Sequence, residues 1–283
     1  MNLNTDIDKL LIQQTKEWDL AQENFKSLET IRERELNLGK CIVRIQYNSK
    51  RIKSTGANVS KDAIKKRKCF LCSSNRPVAQ RSIDYNDYDI LINPFPILKG
   101  HLTIAHKKHI PQSVDYYIDM FELARSLDSF TILYNGAECG ASAPDHLHFQ
   151  ACKKGLTQTE IDFKNCVEDR NISKAEYCRK LTIIKSRSIE DLSIKFKTIL
   201  SNSIEYSSIY KDAKLNLMCR YDEGEWTLYV FHRKAHRPSS YGVSYLVSPG
   251  LIDMSGIIIC PREEDYLNLN EKDIIKIYDE VSE

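Results

Sequence analysis

The sequence lacks several features that would assign a protein to a broad class. No apolar run approaches the ~20 residues of a membrane-spanning helix, and Met1–Leu20 lacks the apolar core of a signal peptide. We therefore expect a cytoplasmic protein without a membrane partner. The net charge of +2 gives no global argument for a nucleic-acid partner. The nine cysteines are an odd number scattered through 283 residues, so a disulfide framework is not expected.

The overall composition is that of an ordinary globular protein, with 42% apolar and 28% charged residues. Apolar periodicity predicts strands at 41–47, 88–92, 101–106, 130–134, 215–221, 226–231 and 256–260, and helices at 5–37, 113–128 and 271–281. This order predicts an α+β protein. We divide it into an N-terminal helical segment (1–38), a catalytic half (39–170) and a second half of similar pattern (171–283), forming one compact unit.

A strongly basic segment lies between Arg44 and Lys68, with nine Lys or Arg residues and a single acid, Asp62. Charge runs of this kind are usually solvated. We therefore interpret the segment as a mobile, solvated loop. The alternative is contact with a nucleotide along its edge.

Two histidines and a glutamine recur at alternate positions, at His146, His148 and Gln150. A strand directs such residues to one face, with neighbours roughly 6.6–6.8 Å apart. They would then form a polar row, while the two apolar residues between them point into a core. The small-residue run Gly140–Ala143 just before it would let a phosphate approach the backbone closely. The alternative is that the row is only the solvent-facing side of a strand.

A Cys-x-x-Cys pair, Cys69 and Cys72, follows the basic segment. Zinc in a closed structural site needs two further nitrogen or sulfur ligands, and His109 and His146 are suitable candidates. We predict a structural Zn²⁺ site from these four residues, which would leave His148 free. The alternative is a metal-free pair of buried thiols.

The order and spacing of these motifs resemble a known superfamily. The segments that carry the resemblance are Cys69–Asn75, Phe95–Pro96, Gly100–Ile104, Lys108–His109, Asn135–Gly136, Gly140–Ser142 and His146–Gln150. Together they resemble the galactose-1-phosphate uridylyltransferase branch of the histidine-triad superfamily, in which glutamine replaces the third histidine. The resemblance implies a HIT-like antiparallel sheet flanked by helices and a homodimer. It also implies that His148 is the catalytic nucleophile.

A second resemblance concerns the substrate. His146–Ala151, Met254–Ile258 and Arg262–Tyr266 are similar to segments of the GDP-hexose phosphorylases, which act on GDP-L-galactose or GDP-D-glucose. The Cys-x-x-Cys pair instead resembles the uridylyltransferases and diadenosine tetraphosphate phosphorylases. The two resemblances imply a nucleotide substrate with phosphate but leave the base and the sugar open.

The chemistry can also be argued from the residues. Attack on phosphorus needs an uncharged nucleophile, and a neutral His148 qualifies if a backbone carbonyl holds its second nitrogen as a donor. Gln150 can donate its amide to a phosphate oxygen. Further substrate contacts are expected from Asn93, Asn135, Gly140, Ala141 and Ser142. The scheme requires no Mg²⁺, and the sequence has no carboxylate cluster to hold one.

These arguments favour a nucleotidyltransferase that converts an NDP-hexose and phosphate to hexose 1-phosphate and NDP through a nucleotidyl-histidine. One alternative is a dinucleoside polyphosphate phosphorylase or hydrolase. Another is a non-catalytic, zinc-stapled nucleotide-binding protein. The remaining histidines His232 and His236 are expected to be surface or substrate-contacting residues, not a second catalytic pair.

Overall fold

A computed structural model describes residues 3–207 and 209–283. The helices are α1 (Leu3–Glu17), α2 (Asp19–Ser27), α3 (Ile52–Thr55), α4 (Lys61–Lys66), α5 (Tyr117–Ser126), α6 (Gln158–Asp162), α7 (Lys174–Tyr177), α8 (Ile189–Ser203), α9 (Leu251–Met254), α10 (Glu263–Asn268) and α11 (Glu271–Val281). Short 3-10 helices occupy Leu28–Thr30, Ser49–Arg51, Ser73–Asn75 and Val114–Tyr116. The strands are β1 (Arg32–Asn37), β2 (Ile42–Tyr47), β3 (Ser82–Tyr85), β4 (Tyr88–Ile92), β5 (Leu102–His106), β6 (Phe130–Asn135), β7 (His148–Lys153), β8 (Arg170–Ile172), β9 (Leu181–Ser186), β10 (Leu215–Asp222), β11 (Glu225–His232) and β12 (Ile257–Cys260).

The main element of the fold is a nine-stranded sheet in the order β3-β4-β5-β7-β6-β10-β11-β9-β8. Its neighbouring strands pair antiparallel, and β6 pairs with β10 in its middle. The sheet is therefore continuous from the first predicted half into the second, and the predicted α+β class is confirmed. The boundaries proposed for the halves stay predictions.

A second, three-stranded sheet has the order β1-β2-β12. β2 is antiparallel to β1 and parallel to β12, with Ile45 opposite Ile258. A strand from near the C-terminus thus completes an N-terminal hairpin.

Apolar side chains cover both faces of the large sheet because its central strands alternate between two cores. In β11, Leu228 and Val230 join the core with α1, α5 and α8, whereas Tyr229 and Phe231 join the core with the small sheet and α11. Both faces of the central strands are therefore buried. No helix in the described part of the chain has the length and apolar content needed to cross a membrane.

The predicted helix 5–37 is wrong in its last part, because the chain turns into the strand β1 after Leu28–Thr30. The alternating charges of Arg32–Glu35 have no apolar stripe, and pairing with β2 determines their conformation. The basic segment is also not a single loop. It contains the end of β2, α3 and α4, and Arg51 Nη1 donates to the Phe95 carbonyl at 2.7 Å.

Candidate active site

A cavity of about 420 Å³ lies beside the start of β7. Its walls come from the segment 51–59, the loop that follows β6, and the segment 236–253. All residues predicted to be catalytic or substrate-binding line it, namely Asn93, Asn135, Gly140, Ala141, Ser142, His148 and Gln150. The fold therefore brings to one cavity the polar and small residues singled out from the sequence.

His148 is held in one orientation by backbone and side-chain hydrogen bonds. Its Nδ1 donates to the carbonyl of His146 at 2.8 Å, which leaves the lone pair on Nε2. The side chain of Gln112 accepts from the His148 amide at 2.9 Å and donates to its carbonyl at 3.0 Å. Burial lowers the pKa of His148 to about 4, so the ring is neutral at pH 7. A neutral imidazole with a free Nε2 can act as a nucleophile.

Gln150, two positions further along β7, is oriented by His101. The Ile97 amide donates to His101 Nδ1 at 3.1 Å, so the ring proton is on Nε2. That nitrogen donates to Gln150 Oε1 at 2.8 Å. Burial, followed by the charge of Arg51, lowers the pKa of His101 to about 4 and keeps the ring neutral. Because its oxygen is occupied, Gln150 retains its NH₂ group as a donor for a ligand.

The loop after β6 is fixed by Asn135 and Gly140. Asn135 Oδ1 accepts from the Leu251 amide at 2.7 Å and from Asn216 Nδ2 at 2.9 Å. Gly140 has φ +100°, and a Cβ there would lie 2.5 Å from the Cα of Gly250. The predicted small-residue loop thus has a packing reason at Gly140. The Asn135 oxygen is occupied by protein donors, which leaves its NH₂ group for ligand contact.

The predicted polar row is wrong at His146, which lies in a bend before β7 and not on the strand. Its ring instead joins Cys69, Cys72 and His109 in a cluster whose ligand atoms all lie within 4.8 Å of one another. The Sγ of Cys69 is 3.2 Å from His146 Nδ1, and the Sγ of Cys72 is 3.3 Å from His109 Nδ1. The four predicted metal ligands are therefore together.

The cluster has the geometry and chemistry to hold a metal ion. Ligand atoms of a tetrahedral ion at about 2.1–2.3 Å stand about 3.6 Å apart, close to the 3.2–3.6 Å separations between Sγ and Nδ1. His146 Nε2 donates to the His106 carbonyl at 2.7 Å, so Nδ1 is the free ligand nitrogen. Burial raises the pKa of the Cys69 thiol, whereas hydrogen bonds from the amides of Leu71 and Cys72 lower it and favour the thiolate that a metal needs as a ligand.

Comparison with known families identifies a family through the N-terminal part of the chain. The model of a domain of unknown function, DUF4922, matches residues 10–153, just over half of the chain. The chain belongs to this family. The DUF4922 region runs from α1 into β7, so it contains His148, Gln150 and the four residues of the cluster. No curated protein matches the sequence.

Solved structures share the fold over nearly the whole chain. Yeast Ap4A phosphorylase Apa2 in complex with Ap4A is 12% identical, with a TM-score of 0.59 over 97% of this chain and 97% of that chain. The same yeast enzyme in complex with AMP is also 12% identical, with a TM-score of 0.59 over 95% of this chain and 96% of that chain. At this identity the likeness establishes the fold alone.

Further lining residues lie outside the DUF4922 region, and one of them, His236, was expected to be a surface or substrate-contacting residue. His236 Nδ1 accepts from the Gly140 amide at 3.3 Å, as a residue of the cavity wall. Asp253 and Arg237 line the same wall. Arg51 lies within the DUF4922 region, and the basic run was its only signal in the sequence. The others carry no local signal, because they reach the cavity only through the tertiary fold.

Proposed function

We propose that this protein is a nucleotidyltransferase of the phosphorylase type, working through a covalent nucleotidyl-histidine at His148. The observation that carries the proposal is the His148 ring itself, which is neutral, fixed by the His146 carbonyl and placed in the wall of a cavity. Fixed orientation of the reacting group supplies much of the barrier reduction in phosphoryl transfer.

The reaction follows in two halves. His148 Nε2 attacks the α-phosphorus, the bond from phosphorus to the bridging oxygen breaks, and the leaving group departs with that electron pair. The ring becomes cationic, and the bond from Nδ1–H to the His146 carbonyl stabilises it. Inorganic phosphate then attacks the nucleotidyl group, which restores neutral His148 and releases a nucleoside diphosphate. Gln150 donates its NH₂ group to a non-bridging phosphate oxygen in both halves.

We favour a dinucleoside polyphosphate as the substrate. The shared fold with yeast Ap4A phosphorylase over 97% of both chains supports this choice. An NDP-hexose is the second candidate, supported by the resemblance of residues 146–151 and 254–258 to GDP-hexose phosphorylases. The second of these segments directly follows Asp253, which lines the cavity. A homodimer and a cytoplasmic location stay predictions.

We further propose that Cys69, Cys72, His109 and His146 hold a structural Zn²⁺, because a closed set of two sulfur and two nitrogen ligands suits this ion. The ion would supply structure and take no part in the reaction. Its residues would connect the segment after α4 to the chain just before β7.

Trapping of the intermediate tests the function. The protein is incubated with Ap4A and, separately, with ADP-, GDP- and UDP-hexoses, each labelled in the α-phosphate, and phosphate is omitted. We expect acid-labile label with the true donor, located on residue 148 by mass spectrometry, released by added phosphate and absent in His148→Ala. Tight nucleotide binding without label from any donor would refute the transferase and favour a binding protein.

A further inference from the structure

The cavity contains positive charge that no described carboxylate neutralises by direct contact. Among its described lining residues the only cations at neutral pH are Arg51 and Arg237. Lys153 at the end of β7 pairs with Asp8, and Lys154 just after it pairs with Asp222, so neither lysine is available. Burying a guanidinium without an anion is costly, and a ligand anion can repay that cost.

Arg51 is the less satisfied of the two guanidiniums. Nη1 donates to the Phe95 carbonyl at 2.7 Å, but its buried Nε has no hydrogen-bond partner within the described chain. Asp253 is the nearest source of negative charge, and its two oxygens accept from the Gly250 and Ile259 amides at 3.0 Å each. Over residues 3–207 and 209–283, no ion pair within 4.0 Å involves Arg51.

Two arginines close to the cavity, Arg233 and Arg237, bond the surrounding protein more fully than Arg51 does. Arg233 donates to the carbonyls of Val281, Pro249, Ala235 and His236 and to Asn216 Oδ1. Arg237 donates to Ser248 Oγ and to the Ala57 carbonyl, both at 2.9 Å, and lies over the ring of Tyr241 at 4.0 Å. Arg237 therefore joins two walls of the cavity, whereas Arg51 has capacity left for a ligand.

The segment Phe95–Ile97 contacts both Arg51 and the residue that orients Gln150. Arg51 bonds the Phe95 carbonyl, the Ile97 amide bonds His101, and His101 bonds Gln150. The lowering of the His101 pKa by the charge of Arg51 agrees with this placement. The guanidinium and the Gln150 amide assigned to the phosphate oxygens thus line the same cavity, and His101 interacts with both.

We infer that Arg51 forms a second anion subsite that binds the phosphate group leaving from, or arriving at, the nucleotidyl group on His148. This inference rests on the proposed function. The ligand class is an inorganic or terminal phosphate, whose oxygens match the planar donors of a guanidinium. When the bridging bond breaks, its electron pair moves to the leaving phosphate, and Arg51 would neutralise the added charge. The attacking phosphate would occupy the same place in the second half.

Anion binding without a nucleotide tests the subsite. Isothermal titration with tripolyphosphate and with inorganic phosphate is carried out on the parent, Arg51→Gln, Arg51→Lys and His148→Ala. Arg125→Gln is the matched control, because Arg125 is an exposed arginine paired with Glu122 on α5. Loss of a charge-assisted bond should weaken tripolyphosphate binding about 10- to 100-fold in Arg51→Gln. The loss should be smaller in Arg51→Lys and absent in Arg125→Gln.

His148→Ala separates this inference from the proposed function. We expect it to retain measurable binding of tripolyphosphate through Arg51, although it cannot form the covalent intermediate. If Arg51→Gln binds as tightly as the parent, or if the folded parent binds neither anion, the subsite is refuted. If the anion binds through Arg51 but no nucleotide donor labels the parent, the subsite stands and the transferase function fails.

Discussion

Gln112 provides the sharpest test of how the fold prepares His148. The strands β6 and β7 pair only as far as Leu133 and Gln150, and beyond that point they separate to form the cavity. The Gln112 side chain fills the gap. Its Nε2 donates to the carbonyls of Asn135 and His148 at 2.9 and 3.0 Å, and its Oε1 accepts from the His148 amide at 2.9 Å.

The substitution Gln112→Leu keeps the volume and removes all three bonds. Gln112 is only 1% exposed, so water cannot readily replace the lost partners. Each unsatisfied buried backbone group costs about 1–3 kcal/mol, so the three groups together give a loss of about 3–9 kcal/mol in the free energy of unfolding. That is a large part of the ~5–15 kcal/mol of a typical domain.

Urea unfolding measures the loss of stability. If the slope of the unfolding free energy against urea concentration is unchanged, the substitution has changed the stability and not the compactness of the folded or unfolded state. Gln13→Leu is the control, because the Gln13 amide bonds only Glu17 on the exposed side of α1. At a urea concentration where Gln112→Leu is still folded, the rate of His148 labelling should also fall, since the strand start is no longer fixed. If the variant loses under 1 kcal/mol and labels at the parent rate, this account of the gap is wrong.

Two further predictions concern the metal cluster and His101. Cys69→Ser should bind less than about one zinc per chain by elemental analysis and should unfold at a lower temperature than the parent. The control Cys166→Ser should match the parent in both measurements. If both variants match the parent in metal content and stability, Cys69 and Cys72 are a pair of thiols without a metal. Burial, with the charge of Arg51, lowers the pKa of His101 from 6.5 to about 4 in the folded protein. As the pH falls, His101 therefore takes up a proton in the unfolded chain before it does so in the folded protein. Stability is therefore complete above about pH 6.5 and falls as the pH drops towards 4, by about 3 kcal/mol for this residue. His101→Gln should reduce that acid loss in urea titrations at pH 7 and 4.5, and an unchanged loss would contradict the assignment.

Local patterns predicted the elements whose residues carry their own signal. The hairpin of β10 and β11 forms with Asp222 opposite Glu225, as its alternation and turn residues indicate. The helix α11 begins after Asn270, whose side chain caps it by accepting from the amides of Lys272 and Asp273. By contrast, β1 was missed because alternating charges have no apolar period, and its conformation depends on pairing with β2.

The residues of the candidate site also fall into two groups, those that the sequence predicted and those that it did not. The residues proposed as metal ligands and as the nucleophile are chemically distinctive cysteines and histidines, so their types and order predicted that they would lie close together. Gln112 and His101 are ordinary polar residues whose roles arise from contacts with positions 36 and 49 residues further along the chain. No pattern near Gln112 indicates that β6 and β7 will separate beside it. Such positioning residues follow only from the tertiary arrangement.

His146 connects the two parts of the site and has a different task in each. Its ring lies in the cluster, with Nδ1 3.2 Å from the Sγ of Cys69 and Nε2 bonded to the His106 carbonyl. Its backbone carbonyl accepts from His148 Nδ1 at 2.8 Å and so leaves the lone pair on His148 Nε2. A backbone shift at His146 would move both the ring and the carbonyl that orients His148. If His148 is the nucleophile, as proposed, we expect the cluster to affect the reaction without touching the substrate, because it fixes the residue that determines which nitrogen of His148 is free.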